Sequence, residues 1–264
     1  MHKTRPSTNI TPGIERMTAS GTQSIAGHAA AIERDGFAIV RDALNADLLA
    51  ELTDAVDSVR DGPGVRSRDG IYAIRNLLGL APRIQRALGA PVIKSLVESC
   101  LGAQALLVGA MFFDKRPNAN WKVPWHQDAT ITVRERKETT GFGPWTMKAG
   151  IQHVQAPPYV LYALMSLRVY LDGCREEEGA LRVIPGSHNF GRLPTDSIPQ
   201  FTRDATVESC PIPQGGLLAM RPLLLHASFA ARTAQSRRVI HLSFASRTLP
   251  APLEWYEAHP IASI

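Results

Sequence analysis

The spacing of hydrophobic and polar positions divides the chain near Gly102 into a helical part and a strand-rich part. Ahead of Gly102, apolar residues recur at helical intervals, and Asn45 is a good N-cap for one of these runs. Pro91 interrupts another run and should divide it. On this basis we predict helices over residues 25–34, 45–60 and 81–99.

Beyond Gly102, short β-branched and aliphatic runs alternate with clusters of Gly, Pro, Asn and Asp, which is typical of strands. One more strand is predicted among the helices, at residues 37–40. The others are predicted at residues 105–113, 130–133, 161–171, 180–184, 217–220, 223–229 and 239–245. Short strands at irregular spacing favour an all-β barrel or jelly roll, so the predicted fold is mainly β with N-terminal helices packed on the β core.

The organisation of the chain follows from its length and from two polar stretches. A chain of 264 residues suits one domain, which we place at residues 25–264. Residues 1–24 are rich in Thr, Ser, Gly and Pro and are predicted to be a flexible segment. Residues 135–158 contain three glycines and two adjacent prolines, and they predict a long loop of the kind that often covers a binding site.

Composition narrows the classes of function. Hydrophobic residues make up 44% of the chain and charged residues 20%, the balance of a globular protein. The net charge is +5, but no basic stripe with interleaved aromatics is present, which argues against nucleic acid. No apolar run reaches the roughly 18 residues that a membrane helix needs. Three widely spaced cysteines without a CxxC pair indicate a reducing compartment, so we expect a cytoplasmic protein with a small-molecule substrate. The oligomeric state stays open.

A candidate metal site combines a His-x-Asp pair with a distant histidine. His126 and Asp128 would share one face of an extended strand and could converge on one ion. His226 ends an apolar run, where a histidine buried in the core is the simpler interpretation, but Arg237 lies eleven residues further on. A hairpin between them would bring Arg237 opposite His226 or Ser228. Two imidazoles and a carboxylate form the facial triad of non-haem Fe(II) oxygenases, and a hydroxyl with a guanidinium can bind a carboxylate.

Several of these segments resemble the phytanoyl-CoA dioxygenase family of Fe(II)/2-oxoglutarate oxygenases, over a region from about Asp35 to Ser246. The match is carried by Phe113-Asp114-Lys115, Trp125-His126-Gln127-Asp128, the run from Gly179 through Pro185-Gly186-Ser187 to His188, and the pairing of His226 with Arg237.

The resemblance implies a double-stranded β-helix, or jelly-roll, core. It also implies that His126, Asp128 and His226 bind Fe(II), that Arg237 binds 2-oxoglutarate with help from Ser228, and that O2 is the second cosubstrate. Arg168 falls where the family often places a side chain that faces cosubstrate or substrate. Related halogenases carry Ala or Gly in place of Asp128, so the resemblance implies oxygenation.

The reaction that follows from this site is hydroxylation of a small or medium-sized organic molecule, with release of succinate and CO2. The same site could instead support desaturation, ring formation, epoxidation or demethylation. A non-catalytic jelly-roll binding protein and a metalloenzyme that does not use 2-oxoglutarate are the alternatives from other classes.

Other polar residues carry open alternatives. His188 is expected to have a structural role in a turn. His241 could belong to the core or line the pocket, and Lys115 could face the pocket or extend to solvent. Arg75 and Asn76 precede the β core in a segment that could fold over the active site and contact substrate.

Overall fold

The computed structural model describes residues 24–232 and 236–264. Almost all of the predicted flexible segment, residues 1–24, therefore lies outside the described residues. The helices are α1 Ile25–Asp35, α2 Ala46–Asp57, α3 Leu77–Leu80, α4 Ile84–Ala87, α5 Pro91–Leu101, α6 Pro158–Leu161 and α7 Ile198–Arg203. The strands are β1 Phe37–Val40, β2 Val65–Ser67, β3 Ile71–Ile74, β4 Leu106–Lys115, β5 Val123–His126, β6 Thr130–Val133, β7 Trp145–Lys148, β8 Ile151–Gln155, β9 Leu164–Tyr170, β10 Leu181–Val183, β11 Glu208–Cys210, β12 Leu217–Met220, β13 His226–Ser228, β14 Arg237–Ala245 and β15 His259–Pro260.

The strands form two main antiparallel sheets, between which the chain passes repeatedly. The large sheet has the order β1-β12-β9-β14-β4-β3-β2, with β15 on β4, and the small sheet has the order β11-β10-β13-β5. From β4 onwards the chain alternates between β4, β9, β12 and β14 of the large sheet and β5, β10, β11 and β13 of the small one. This is the connectivity of a jelly roll, and it confirms the predicted fold class.

The helices cover the outer face of the large sheet, because alternate residues of its strands project apolar side chains towards them. Along β9, Met165, Leu167 and Val169 belong to the core beneath the helices. Ser166 and Arg168, which project from the other face, line the space between the sheets. Strand alternation thus places the helical layer on one side and the candidate site on the other.

Local sequence signals set the helix boundaries as predicted. The side chain of Asn45 accepts a hydrogen bond of 2.9 Å from the backbone N–H of Leu48 and caps α2. Pro91 occupies the first turn of α5, where its missing N–H leaves no hydrogen bond unmade, so it starts a helix and separates α4 from α5.

The prediction of a long loop at residues 135–158 is wrong. This stretch contains β7 and β8, which pair with β6 in a third sheet of order β6-β8-β7. The strands are short and lie between glycines and prolines, so loop signals dominate the local sequence.

The predicted hairpin between His226 and Arg237 is also wrong. Strand β13 pairs with β10 and β5 in the small sheet, whereas β14 pairs with β4 and β9 in the large one. The two residues therefore face each other across the sandwich.

Within the described residues, none of the helices has the length and apolar character needed to cross a membrane.

Candidate active site

His126 and His226 occupy opposite positions on the antiparallel strands β5 and β13, and their ring centroids lie 4.1 Å apart. Each Nδ1 lies 2.9 Å from the carbonyl oxygen two residues earlier, that of Pro124 for His126 and that of Leu224 for His226. A carbonyl oxygen only accepts, so each Nδ1 carries the proton and donates. The free electron pair is then on Nε2 of both rings, directed into the same space.

Asp128 completes the group from just beyond the end of β5. Its Oδ1 lies 3.5 Å from Nε2 of His126, and its Oδ2 lies 3.5 Å from Nε2 of His226. The backbone N–H of Asp128 donates to the carbonyl of Pro222 at 2.8 Å, which ties this position to the segment before β13. The sequence expectation that both ligands lie on one strand holds for His126 alone.

Gln127, between the two candidate ligands, anchors this turn. Its Nε2 donates to the carbonyl oxygens of Gly191 at 2.8 Å and Leu223 at 2.7 Å, and its Oε1 accepts from the backbone N–H of Leu193 at 2.8 Å. Three hydrogen bonds to backbone on two separate segments fix the direction in which His126 and Asp128 point.

Burial and the neighbouring charges set the protonation states. Burial lowers the pKa of His226 to about 3 against the opposing charge of Asp128. Burial disfavours ionisation of Asp128, but His226, His126 and His241 outweigh it and hold its pKa well below the usual range. Burial also lowers the pKa of His126, yet the carboxylate of Asp128 raises it by more. At neutral pH the group thus contains an anionic carboxylate and a neutral His226, the forms that bind metal ions.

The three residues fit a divalent transition metal. One ligand atom from each of His126, Asp128 and His226 lies within 4.8 Å of the others, and Oδ2 of Asp128 is buried without a hydrogen-bond partner among the described residues. Bonds of about 2.0–2.2 Å from one ion to imidazole nitrogen and carboxylate oxygen place adjacent ligand atoms about 3 Å apart. A 2-His-1-carboxylate set suits Fe(II) and leaves coordination positions open.

Two cavities meet at this group. A larger one of about 300 Å³ and a smaller one of about 200 Å³ share Met111, His126, Asp128 and His241 in their walls. His241 is buried, and burial together with the charge of Arg168 lowers its pKa to about 4. Of the two roles left open for His241, the structure supports the one of lining the pocket.

The smaller cavity is cationic and contains all three residues expected to bind cosubstrate: Arg168, Ser228 and Arg237. Nη1 of Arg237 donates to the carbonyl of Gly179 and lies 3.3 Å from Sγ of Cys174, while its Nε has no hydrogen-bond partner among the described residues.

Lys115 also lines the smaller cavity, and the sequence did not predict how deeply its side chain is buried. It is directly opposite Arg237 in the β4–β14 register and 2% exposed. Its Nζ donates to Oγ of Ser228 and to the carbonyl of Phe229, both at 2.9 Å. Burial and the charge of Arg237 lower its pKa to about 7. The alternative that Lys115 extends to solvent is therefore wrong; its side chain ends inside the cavity.

Arg168 lies beside two of the candidate metal ligands. Its Nη2 is 3.4 Å from Nε2 of His226 and 3.9 Å from Oδ2 of Asp128. Its Nε is buried and has no partner among the described residues. This places a cation beside the candidate metal site.

The structure shows which of the remaining polar residues lie at the two cavities and which do not. His188 is buried, and its Nε2 lies 3.1 Å from the carbonyl of Glu33, which agrees with a structural role. Arg75 and Asn76 line the larger cavity, as does His153 of β8. Arg238 points away from the site and pairs with Asp172 at 2.9 Å.

The family model for phytanoyl-CoA dioxygenase matches residues 32–239, which is most of the chain. The chain belongs to the phytanoyl-CoA dioxygenase family. Its candidate ligands His126, Asp128 and His226 form the 2-His-1-carboxylate set that suits non-haem iron.

Individual relatives are distant. The chain is 23% identical over 193 residues to phytanoyl-CoA dioxygenase domain-containing protein 1 of Danio rerio, and the match covers 67% of this chain but only 58% of that protein. EctD from S. alaskensis, crystallised with 2-oxoglutarate and 5-hydroxyectoine, is similar in fold, with a TM-score of 0.68, 18% identity, and coverage of 96% of this chain and 91% of EctD.

The epimerase SnoN, crystallised with Fe3+, alpha ketoglutarate and nogalamycin RO, is similar with a TM-score of 0.60 and 21% identity, over 89% of this chain and 94% of SnoN. The solved structures with this fold thus include one that is described as an epimerase. The fold alone therefore does not determine which reaction is catalysed.

Proposed function

We propose that this member of the phytanoyl-CoA dioxygenase family hydroxylates a small or medium-sized organic substrate. In this proposal Fe(II) is held by His126, Asp128 and His226. The observation that carries it is the junction of two cavities at His126 and Asp128, with His226 in the wall of the smaller one, because a site of this kind can hold a cosubstrate on one side of the metal and a substrate on the other.

We assign the smaller cavity to 2-oxoglutarate. Arg237, Lys115 and the hydroxyl of Ser228 together offer two cations and a hydrogen-bonding group for the distal carboxylate. Arg168 sits at the other end, beside His226 and Asp128, where it would stabilise the carboxylate nearest the metal.

The larger cavity then receives the substrate. Its walls exclude water from the reacting carbon and orient it towards the metal ligands. When bound, iron with 2-oxoglutarate and O2 supplies the oxidising power for insertion of oxygen into a C–H bond, with succinate and CO2 as coproducts. The carboxylate of Asp128 would hold the metal together with the two histidines, which supports oxygenation over halogenation.

The test is substrate-stimulated succinate release with Fe(II), 2-oxoglutarate and O2, screened over fractions of a metabolite extract, followed by product mass. We expect a product heavier than the substrate by one oxygen atom. A product lighter by two hydrogens would favour desaturation or ring formation at the same site. Succinate release that is equal for wild type and H226A would contradict the assigned metal site.

A further inference from the structure

The larger cavity contains a group of basic side chains that come from two separate hairpins. Arg75 directly follows β3, Lys148 ends β7, and His153 lies in β8, and all three line this cavity. Burial lowers the pKa of His153, and the charges of Lys148 and Arg75 lower it further. Both positive charges therefore act on the same ring.

The two hairpins meet at Gly64, before β2. A side chain added at Gly64 would come within 3.2 Å of Cβ of both Arg75 and Ala149, the residue that follows Lys148. The backbone N–H of Arg75 also donates to the carbonyl of Gly64 at 3.1 Å. This close packing fixes the backbone of Arg75 next to the β7–β8 turn, and the side chain of Arg75 lines the larger cavity from there.

These cations have no counter-ion within the part of the chain that the structure describes. Arg75 forms no ion pair there, and its Nε is buried without a hydrogen-bond partner. The acidic residues of the cavity are Asp128, at the candidate metal site, and Glu257. Burial alone raises the pKa of Glu257, with no contribution from a nearby cation, so Glu257 is not the partner of Arg75.

A guanidinium that is partly buried without a partner destabilises the folded protein unless a bound group compensates it. We propose that the substrate carries an anionic group, a carboxylate or a phosphate ester, which Arg75 binds through its planar guanidinium, with Lys148 beside it. This inference rests on the proposed function, since it assigns the charge of the molecule that the larger cavity receives.

The cavity also bounds the size of that molecule. Its volume of about 300 Å³ is at the lower end of the range for small-molecule sites. An anionic group held at Arg75 anchors one end of a small substrate, so that another part of it is presented to His126 and Asp128, which line the same cavity.

Charge selectivity of the cavity can be tested without knowing the substrate. The probes are butyrate, propyl phosphate and the uncharged butanamide, added anaerobically to full-length enzyme saturated with Fe(II) and 2-oxoglutarate. Binding is measured by calorimetry and by paramagnetic broadening of the probe resonances, which reports proximity to iron. We expect at least one anion to bind 10- to 100-fold more tightly than butanamide, the effect of about one charged hydrogen-bonded pair. The tighter anion identifies the group.

The decisive variant is Arg75→Gln, with Arg66→Gln as matched control. Arg66 lies on β2, is exposed and lowers the pKa of Arg75 by its charge, but it does not line the cavity. R75Q should lose the preference for the anion, R75K should retain part of it, and R66Q, which removes a nearby charge outside the cavity, should retain most of it. Equal binding of all three probes to wild type, or an unchanged preference in R75Q, would overturn the inference.

The same samples separate this inference from the proposed function. R75Q should keep the visible absorption band of the Fe(II)–2-oxoglutarate complex and its affinity for 2-oxoglutarate. Absence of that band in wild type would contradict the proposed function, whereas the calorimetric comparison of butyrate with butanamide would still report the charge selectivity of the cavity.

Discussion

Lys115 and Arg237 lie directly opposite each other on β4 and β14, with both side chains in the wall of the smaller cavity. Burial lowers the pKa of Lys115, and repulsion by the positive charge of Arg237 on the opposite strand lowers it further, to about 7. A dianionic cosubstrate would relieve the repulsion, which makes this pair the natural target for the first two predictions.

Removing the charge of Arg237 should weaken binding of 2-oxoglutarate. We expect Arg237→Gln to raise the KM for 2-oxoglutarate about 10- to 100-fold, because the substitution removes a charged hydrogen bond to the carboxylate. The control is Arg238→Gln, the next residue, which pairs with Asp172 on the other face of the strand. A normal KM in R237Q would refute the assigned cosubstrate pocket, and an equal effect in R238Q would indicate a general loss of structure.

Affinity for 2-oxoglutarate should depend on pH through Lys115. Its pKa is lowered from 10.5 to about 7, so the free enzyme loses this charge as pH rises through about 7. Binding of an anion favours the protonated form, and affinity should therefore decrease between pH 6.5 and pH 9. Lys115→Met should bind weakly at both pH values and lose most of this dependence. An identical pH profile in K115M would contradict the prediction.

The residue types in the sequence made His126, Asp128 and His226 candidate metal ligands, but His226 could equally have been a histidine of the core until the family resemblance was added. Neither the residue types nor the resemblance predicted the geometry around Arg237. Strand β13 belongs to the small sheet and β14 to the large one, and nothing in the turn-like sequence between them distinguishes this arrangement from a hairpin.

Side-chain burial was harder still to predict. The sequence left open whether Lys115 faces the pocket or extends to solvent, and only the folded structure shows that Ser228 and Phe229 accept its hydrogen bonds. Arg75 was recognised as a possible substrate contact, but its missing counter-ion is a property of the assembled cavity. Long-range contacts of this kind leave no local pattern in the chain.

Gln127 should position the metal ligands without binding metal. Gln127→Ala leaves three backbone groups without their partner, and we expect it to lower the free energy of unfolding by about 1–3 kcal/mol and iron affinity by about 10-fold. Gln214→Ala is the control, because Gln214 makes a hydrogen bond to backbone, at 3.0 Å to Leu171, on a segment that does not line either cavity. Unchanged iron affinity in folded Q127A would show that the turn does not depend on this anchor.

Glu257 should lower stability at high pH. Burial raises its pKa from 4.5 to about 7, so the unfolded chain ionises first and the folded state loses stability as pH rises from about 4.5 to 7. Glu257→Gln removes this dependence. The variant should match wild type near pH 4 and exceed it by about 1 kcal/mol at pH 8, a value reduced for the part of the side chain that is open to solvent. Denaturant unfolding at both pH values checks this, and a wild-type advantage at pH 8 would contradict it.

Binding of Fe(II) by His126, Asp128 and His226 beside a pocket for 2-oxoglutarate can be measured by anaerobic titration of the metal-free protein with Fe(II) and then 2-oxoglutarate, with visible absorption as the readout. We expect a weak charge-transfer band in wild type that saturates at one equivalent of iron and is lost in Asp128→Ala and His226→Ala, while His259→Gln retains it. A folded, iron-loaded wild-type protein without the band, or a band that persists in both triad variants, would show that these residues do not form the site.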